Sequence, residues 1–318
     1  MSKKDTKAKE YMADNNRFAD LCNLVLFNGE NIISAEDLVE KDSTEVLSVL
    51  GVSGTEVKHE QKWRDLLKSA IIKISNKAVF VLIGVENQSD IHYAMPVKSL
   101  IYDALSYGSQ VKEAAKKHKK NKDYDNNAEF LSGFKKSDKI TPVIPITLYL
   151  GAEKWDAPTS LYDMFEDLDD RLKPFIPDYK LLLVSPANLS PEDLDKLDTE
   201  LREFLGAIKY SNNKDDFEEF IFSNEEFENL DNETVSAINV FTGAGIKITK
   251  KGGKTNVCKA IKEMKEEYAN EVAAKKNAEE IVNAVESIMK NFKVSLEEAC
   301  VGLNYTLDKY HNAKSLIS

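Results

Sequence analysis

The amino-acid sequence predicts an α/β protein, in which a mixed sheet flanked by helices is followed by a helical C-terminal region. The segments before residue 211 follow the order α, β, β, α, β, α, β, α, which is typical of a mixed sheet covered by helices. Residues 78–85 form a continuous apolar run, as in a strand that is buried on both faces. From Asp215 onward the hydrophobic pattern is almost wholly helical.

The first helix is predicted over residues 15–27, where apolar side chains recur at helical spacing and form one stripe. Asn28 and Gly29 are expected to end it, because both residue types favour turns. Ser34 and Asp37 stand three residues apart, as in a capping box, and predict a short turn or helix after it. The residues before this helix, 1–14, are expected to be flexible.

A β-hairpin is predicted from residues 63–74 and 78–88, with its turn at Asn76 and Lys77. If the two strands pair antiparallel about that turn, Asp65 at the start of the first strand lies opposite Glu86 near the end of the second. Because side chains alternate along a strand, Glu86 and Gln88 are expected on the same side.

A long helix is predicted to begin at Pro96 and to reach Lys120, since proline is favoured in the first helical turn. Its buried stripe is expected to consist of Val97, Leu100, Ile101, Ala104, Leu105 and Val111. A strand follows at residues 139–150, and Pro142 and Pro145 predict that it is an edge strand or is irregular at its start.

The remaining segments complete the order of elements. We predict an acidic helix at residues 161–172, a strand at 179–184 and a helix at 191–208. Residues 255–292 predict a long helix rich in Glu, Lys and Ala, which suits an exposed or self-associating helix and hence a homo-oligomer. Ser295 and Glu298 form a capping box that predicts a further helix. We therefore divide the chain into residues 1–14, 15–211 and 212–318.

Composition restricts the class of protein. Apolar content of 42% and charged content of 31% suit an ordinary soluble globular chain. The three cysteines are far apart and form no CxxC pair, so we expect buried thiols in a reducing compartment. The lysine-rich start lacks the apolar core of a signal peptide, and no apolar run is long enough to span a bilayer. These features predict a cytoplasmic protein without membrane contact.

The net charge of −11 argues against a protein that coats nucleic acid through bulk charge. Residues 112–122 nevertheless hold six lysines and one histidine, which form a local basic patch. This cluster is either a solvated helix end, where cations are favoured by the helix dipole, or a contact to the DNA backbone.

The residue pair Asp65 and Glu86 carries the predicted chemistry. Two adjacent carboxylates repel each other unless a cation lies between them, and oxygen-rich sites select Mg²⁺ or Mn²⁺. Such an ion lowers the pKa of a bound water and stabilises charge on a phosphoryl group. Gln88 could orient the water or contact the phosphate, although it lacks the positive charge of a lysine.

An Asp followed by Glu-x-Gln on the next strand resembles the PD-(D/E)xK nuclease superfamily and, more narrowly, the Rpn family of recombination-promoting nucleases and transposases. The resemblance covers about residues 15–211. Its motifs, each weak alone but specific as an ordered set, are Asn16 to Asn23, Arg64-Asp65, Gly84-Val85-Glu86-Asn87-Gln88-Ser89, Tyr93-Ala94-Met95-Pro96, Tyr102 to Tyr107, Phe130-Leu131-Ser132-Gly133, Lys136 to Lys139, Pro142-Val143, Trp155 and Ile208-Lys209-Tyr210-Ser211.

The resemblance implies a restriction-endonuclease-like sheet over residues 15–211 and a DNA endonuclease that needs Mg²⁺ or Mn²⁺ and is linked to recombination or mobile elements. It implies that Asp65 and Glu86 bind metal, that Asp20 is an additional ligand, and that Gln88 stands where the superfamily has lysine.

Contacts to the DNA substrate are expected from Tyr102, Lys98, Lys112 and Lys116. Because Gln88 replaces the lysine, the alternative is a DNA-binding or assembly module of a transposon-related system that has lost catalysis. The two functions differ in metal binding at Asp65 and Glu86.

Overall fold

The computed structural model describes residues 2–41, 65–74, 77–249 and 253–317. These form two compact units, Met1–Thr255 and Asn256–Ser318. The boundary expected at residue 211 therefore lies inside the first unit. No helix in the described ranges is both long and apolar enough to cross a membrane.

The first unit is built on a five-stranded mixed sheet with the strand order β1-β2-β3-β4-β5. The strands β1, β2 and β3 are antiparallel neighbours, whereas β4 and β5 continue the sheet parallel to β3. The predicted mixed sheet is thus confirmed. Its strands are β1 (Leu38–Glu40), β2 (Leu66–Ile74), β3 (Lys77–Gln88), β4 (Val143–Tyr149) and β5 (Leu182–Val184).

The predicted hairpin is confirmed in its register as well as in its strands. Leu66 of β2 pairs with Val85 of β3, which puts the next position on each strand, Asp65 and Glu86, opposite each other. The strand begins at Leu66 rather than at residue 63, and residues 63 and 64 lie outside the described residues. So does the predicted turn residue Asn76, while Lys77 begins β3.

The N-terminal segment is helical, in contrast to the flexible start that we expected. Helix α1 (Lys3–Met12) begins with a capping box formed by Ser2 and Asp5. The buried side of α1 includes the fully buried Tyr11 and Met12. Lysines lie among the apolar residues of this helix, so the sequence shows no continuous apolar run there. Burial of this side gives the short helix the tertiary support that it needs.

Helix α2 (Asn15–Phe27) has the predicted bounds. It ends at Asn28, whose φ of 53° is left-handed, followed by Gly29 at 91°. The predicted short turn is present as a 3-10 turn at Ala35–Asp37, but the predicted capping box is not: Ser34 makes no side-chain cap hydrogen bond and instead donates its hydroxyl to the Asp37 carboxylate.

Helix α3 (Met95–Asn121) has Pro96 in its first turn, as predicted, but of its predicted buried face only Leu105 is buried, with Val97 half-buried. Leu100, Ile101, Ala104 and Val111 are exposed. The buried positions include Ser99, Asp103 and Ser106, because α3 meets its neighbours through hydrogen bonds as well as apolar contacts: Tyr179 donates its hydroxyl to Asp103 over 2.6 Å. Apolar periodicity alone therefore did not identify which side of α3 is buried.

Strand β4 lies inside the sheet, so of the two alternatives that we expected the edge strand was wrong, and the strand begins only at Val143, after Pro142. It pairs with β3 along its whole length, but with β5 only at Ile146, Thr147 and Leu148. Pro145 stands before that stretch, where β4 has a strand neighbour on one side, which is why the sheet accepts a residue without an N–H. A short helix, α4 (Asn127–Ser132), precedes the strand.

The acidic helix expected at residues 161–172 is absent from the described structure, which has 3-10 turns at Tyr162–Met164 and Lys173–Phe175 instead. The acidic side chains bind nearby groups in non-helical turns. Asp163 accepts from the backbone amides of Thr159 and Ser160, and Asp169 pairs with Arg171. The strand expected at 179–184 is shortened to β5.

The helix expected at residues 191–208 is divided into α5 (Pro191–Leu194) and α6 (Leu201–Tyr210). The first unit then continues through α7 (Lys214–Ser223), β6 (Leu230–Asp231), α8 (Asn232–Thr242) and β7 (Lys254–Thr255). Around Phe204 of α6 the ring of Tyr11 lies 4.7 Å away and that of Phe241 lies 5.4 Å away, so α1, α6 and α8 share one aromatic core.

The second unit confirms the helical C-terminal region. It consists of α9 (Val257–Phe292), α10 (Leu296–Gly302) and α11 (Leu307–Ile317), and the predicted capping box of Ser295 and Glu298 begins α10. In α9, Ile281 and Val285 are buried, whereas Tyr268 and Val272 are exposed. All three cysteines are buried free thiols, as expected.

Candidate active site at the end of strand β3

The candidate site lies where β3 ends and β2 begins. Glu86 of β3 follows Val85, the partner of Leu66, and pairs on its other side with Thr147 of β4. Since β3 and β4 run parallel, their carboxyl ends meet at the same edge of the sheet, the edge where ligands bind in open α/β sheets. Backbone topology therefore brings the positions of Asp65 and Glu86 together.

The carboxylate of Asp65 is held by the main chain of the neighbouring strand. Asn87 donates its backbone N–H to Asp65 Oδ2 over 2.9 Å. Burial raises the pKa of Asp65 above its usual value of 3.8, against the hydrogen bond from Asn87 and the positive charges of Lys98 and Lys9, which lower it. A buried carboxylate with a raised pKa gains from a nearby cation, because the cation offsets the lost hydration.

Helix α1 contributes to this site, which the sequence did not lead us to expect. Ser89, directly after β3, donates its hydroxyl to Asp5 Oδ1 over 2.9 Å. The charges of Asp5 and Lys9 both act on Asp65. The signal in the sequence was the Ser2–Asp5 capping box, which marks the start of a helix but not where that helix packs.

Gln88 is half-buried, and its side-chain amide turns back toward its own strand. Its Nε2 donates to the carbonyl oxygen of Asn87 over 3.1 Å, and its backbone oxygen accepts from Leu150 over 2.7 Å. Gln88 pairs with Tyr149, whose ring packs edge-on against Trp155 at 5.2 Å. These contacts hold Gln88 at the end of the sheet with a neutral side chain in the position of the expected lysine.

Asp20 is engaged on both carboxylate oxygens. Its Oδ1 accepts from the backbone N–H of Asp198, and its Oδ2 accepts from the backbone N–H and the hydroxyl of Thr199, at 3.1, 2.8 and 2.6 Å. Burial raises its pKa while these donors lower it. The contacts account for the burial of Asp20 and for the break between α5 and α6, so the described geometry gives this residue a structural role.

The four residues expected to contact substrate are all on α3, at different distances from the site. Lys98 acts electrostatically on Asp65, and its Nζ lies 5.8 Å from the ring centre of Tyr102. A helix rises 1.5 Å per residue, so Lys112 and Lys116 lie roughly 21 and 27 Å along the axis from Lys98. The structure therefore brings Lys98 and Tyr102 toward the site and places the other two lysines far from it.

The Asp65 carboxylate is the kind of oxygen donor that a hard divalent cation takes. Among the side chains that the structure describes, no group of three or more His, Cys, Asp or Glu converges on one point. The oxygen donors at the site are the Asp65 carboxylate and, opposite it in register, the position of Glu86. Carboxylate oxygens are the ligands that Mg²⁺ and Mn²⁺ prefer, and Mg²⁺ is commonly bound by one or two carboxylates with water and phosphate.

Comparison with known proteins identifies the family. No match was found among curated proteins or among solved structures. A family model described as "Putative transposase, YhgA-like" matches residues 53–235, which is more than half of the chain and includes Asp65, Glu86 and Gln88. The match confirms the resemblance to a transposase family that the sequence predicted, and it links the chain to mobile elements. The chain therefore belongs to the YhgA-like transposase family.

Proposed function

We propose that this protein is a divalent-metal-dependent endonuclease that hydrolyses phosphodiester bonds in DNA during recombination or movement of mobile elements. The observation that carries the proposal is the register of β2 and β3, which sets Asp65 opposite Glu86 at the carboxyl end of a parallel strand pair. Membership of a transposase family supports DNA as the substrate.

Asp65 and Glu86 would hold Mg²⁺ or Mn²⁺, which when bound lowers the pKa of a water and stabilises charge on the phosphoryl group. The amide of Asn87 keeps the Asp65 carboxylate in position from the adjacent strand. Lys98 supplies a positive charge near Asp65 that would offset the charge of the phosphate. Gln88 would orient the attacking water through its amide.

The proposed fold of this unit is restriction-endonuclease-like. What supports it is the combination of an antiparallel hairpin, a parallel continuation of the same sheet and flanking helices. Glu86 then lies on β3 and Asp65 directly before the adjacent strand β2, which suits a rigidly held metal site.

Nicking of supercoiled plasmid in Mg²⁺ or Mn²⁺ tests this function. We expect the wild-type protein to nick, and Asp65→Ala and Glu86→Ala each to reduce the rate by at least 10²-fold, the order expected when electrostatic stabilisation of a transition state is removed. Asp308→Ala, at an exposed position on α11, is the matched control and should nick normally. Equal cutting by all four proteins, or none by wild type, rejects the proposal.

The second candidate function is a DNA-binding or assembly module without catalysis. It is favoured by Gln88, whose amide is neutral and donates to the backbone carbonyl of Asn87. It is also favoured by the exposed Tyr268 and Val272 on α9, through which we propose that homo-oligomers form. Calorimetry that detects no Mn²⁺ binding in wild type, together with intact DNA binding, selects this function. Light scattering of Tyr268→Glu/Val272→Glu tests assembly, which is expected to be lost.

A further inference from the structure

The segment from Lys112 to Lys139, which comprises the end of α3, α4 and the loops around it, is here called the lysine lobe. Its sequence contains nine lysines and five carboxylates. In the structure most of the carboxylates bind groups of the lobe itself, whereas most of the lysines are exposed and do not.

His118 organises the inside. It is 7% exposed, and its ring nitrogens lie 2.9 Å from Asp123 Oδ1 and 2.9 Å from Asp138 Oδ2. Asp138 also accepts the backbone N–H of Lys135 over 2.7 Å. Two carboxylates that follow the helix are thereby drawn onto one imidazole.

Two further carboxylates are engaged within the same lobe. The buried Glu129 accepts the backbone N–H groups of Asp125 and Lys136 at 3.0 and 3.2 Å. The carboxylate of Asp125 pairs with the ammonium of Lys135 at 3.1 Å, and that ammonium also donates to the carbonyl of Asp123. Four of the five carboxylates therefore bind groups of the lobe itself.

The lysines of the lobe mostly point outward. Seven of them are exposed and have no ion pair to a carboxylate in the part of the chain that the structure describes: Lys116, Lys117, Lys119, Lys120, Lys122, Lys136 and Lys139. Lys116 and Lys120 are one helical turn apart, where like charges disfavour each other unless an anion lies nearby. The surface is thus strongly basic although the whole chain carries −11.

The position of the lobe relative to the candidate site is set by α3. Lys98 lies near Asp65, and residues 116–120 lie 18 to 22 residues further along the same helix. At 1.5 Å per residue this separation is roughly 27–33 Å. One turn of B-DNA is about 34 Å long, so a duplex presents the same face again over nearly this distance.

We propose that the lysine lobe binds the phosphate backbone of duplex DNA about one helical turn away from the bond that the candidate site cuts. The inference rests on the proposed function for the placement of DNA at Asp65, and on the separation of charges for the surface itself. The spacing along α3 and the transposase family favour a duplex over an anionic membrane as the partner.

The test uses the full-length protein without added metal, with EDTA present, so that binding is measured apart from cutting. The variant is Lys116→Gln/Lys117→Gln/Lys119→Gln/Lys120→Gln, and the matched control neutralises four exposed lysines of the second unit, Lys276, Lys290, Lys293 and Lys309. Fluorescence anisotropy gives the Kd for a labelled 24-bp duplex, for an 8-bp duplex and for phosphatidylserine vesicles, over a range of salt concentrations.

We expect the lobe variant to lower the slope of log Kd against log salt by about three to four for the long duplex, because each lysine on a phosphate contributes about 0.9. The control should keep the wild-type slope, and the 8-bp duplex, too short to reach both surfaces, should bind the wild type with a smaller slope than the 24-bp duplex. Equal slopes for wild type and lobe variant, or a loss confined to vesicle binding, overturns the proposal.

Cutting provides a separate readout. If Asp65→Ala nicks plasmid as well as wild type while the lobe variant loses its salt slope, the proposed active site fails and the DNA surface stands. If Asp65→Ala is inactive and the lobe variant binds and nicks like wild type, the surface fails and the active site stands.

Discussion

Asn87 donates its backbone N–H to the carboxylate of Asp65 over 2.9 Å, just beyond Leu66 and Val85, the last paired residues of β2 and β3. This hydrogen bond holds an acidic side chain at the rim of a buried sheet, where burial raises its pKa. A carboxylate in such a place costs stability unless a cation accompanies it, and this cost is typical of a site kept for function.

Replacing Asp65 with Asn should separate stability from metal binding. The amide oxygen can still accept from Asn87, while the buried charge is removed, so we expect the Tm without metal to rise. In wild type, Mg²⁺ at about ten times its Kd should add about 1.4 kcal/mol to the free energy of unfolding. The variant should show no such gain in thermal unfolding with and without Mg²⁺. A metal-dependent gain equal to that of wild type would rule out Asp65 as a ligand; Asp308→Asn is the control.

The raised pKa of Asp65 predicts where metal binding weakens in acid. Only the ionised carboxylate binds the ion, so Mn²⁺ affinity should fall as the pH drops through a pKa above the usual 3.8. Stability has the opposite sign: the folded state binds the proton more tightly, so this carboxylate destabilises the fold increasingly as the pH rises through its pKa. Calorimetry from about pH 4.5 to 8 measures the affinity. If the Mn²⁺ affinity falls only at the pH at which an exposed aspartate is protonated, the burial of Asp65 is contradicted.

Gln88→Lys should increase nicking on the order of tenfold. The substitution adds a positive charge where charge develops on the phosphate, whereas the present amide donates to the carbonyl of Asn87. Gln88→Met, of similar size but without charge or amide, is the control and should lower the rate. If Gln88→Lys instead cuts more slowly than wild type, the amide itself orients the water. Initial rates of plasmid nicking at saturating Mg²⁺ distinguish these outcomes.

His118 should make the lysine lobe sensitive to pH. The hydrogen bonds that His118 donates to Asp123 and Asp138 raise its pKa above 6.5, while desolvation lowers it. The stabilisation by the imidazolium is therefore complete below pH 6.5 and is lost as the pH rises through the raised pKa. Hydrogen exchange of residues 122–139 should accelerate between about pH 6 and 9 in wild type, after correction for intrinsic exchange. In His118→Gln these residues should exchange fast at both about pH 6 and about pH 9. Equal protection of the wild-type lobe at the two pH values would refute the coupling between His118 protonation and lobe stability.

Tyr11 should prove essential to the first unit. Its ring is fully buried against Phe204, and its hydroxyl lies 3.1 Å from the hydroxyl of Thr234. Tyr11→Ala should lower the free energy of unfolding by roughly 3–5 kcal/mol, and Tyr11→Phe by about 1 kcal/mol. Urea unfolding measures both, with the exposed Glu10→Ala as the control. A cost below 1 kcal/mol for Tyr11→Ala would restore the flexible N-terminus expected from the sequence.

Local patterns in the sequence were sufficient for the β2–β3 hairpin and for α2. The apolar run of β3 and the position of the turn determine the register that sets Asp65 opposite Glu86, because neighbouring strands of a hairpin are joined by only a few residues. Helix α2 is similarly determined by its apolar stripe and by Asn28 and Gly29 at its end.

Tertiary structure alone decided the features that depend on distant partners. Asp20 binds the backbone at Asp198 and Thr199, and Tyr11 reaches Thr234, across separations of more than 170 residues. The buried face of α3 also follows from neighbours elsewhere in the fold, and the carboxylates of the lysine lobe are engaged by groups brought together only when the lobe folds. Helical and strand periodicity report which residues share a side of an element, but which side is buried, and which charge is neutralised, depends on what packs against it. For this reason the positions of Asp65 and Glu86 could be predicted from the sequence, whereas the packing of α1 beside them could not.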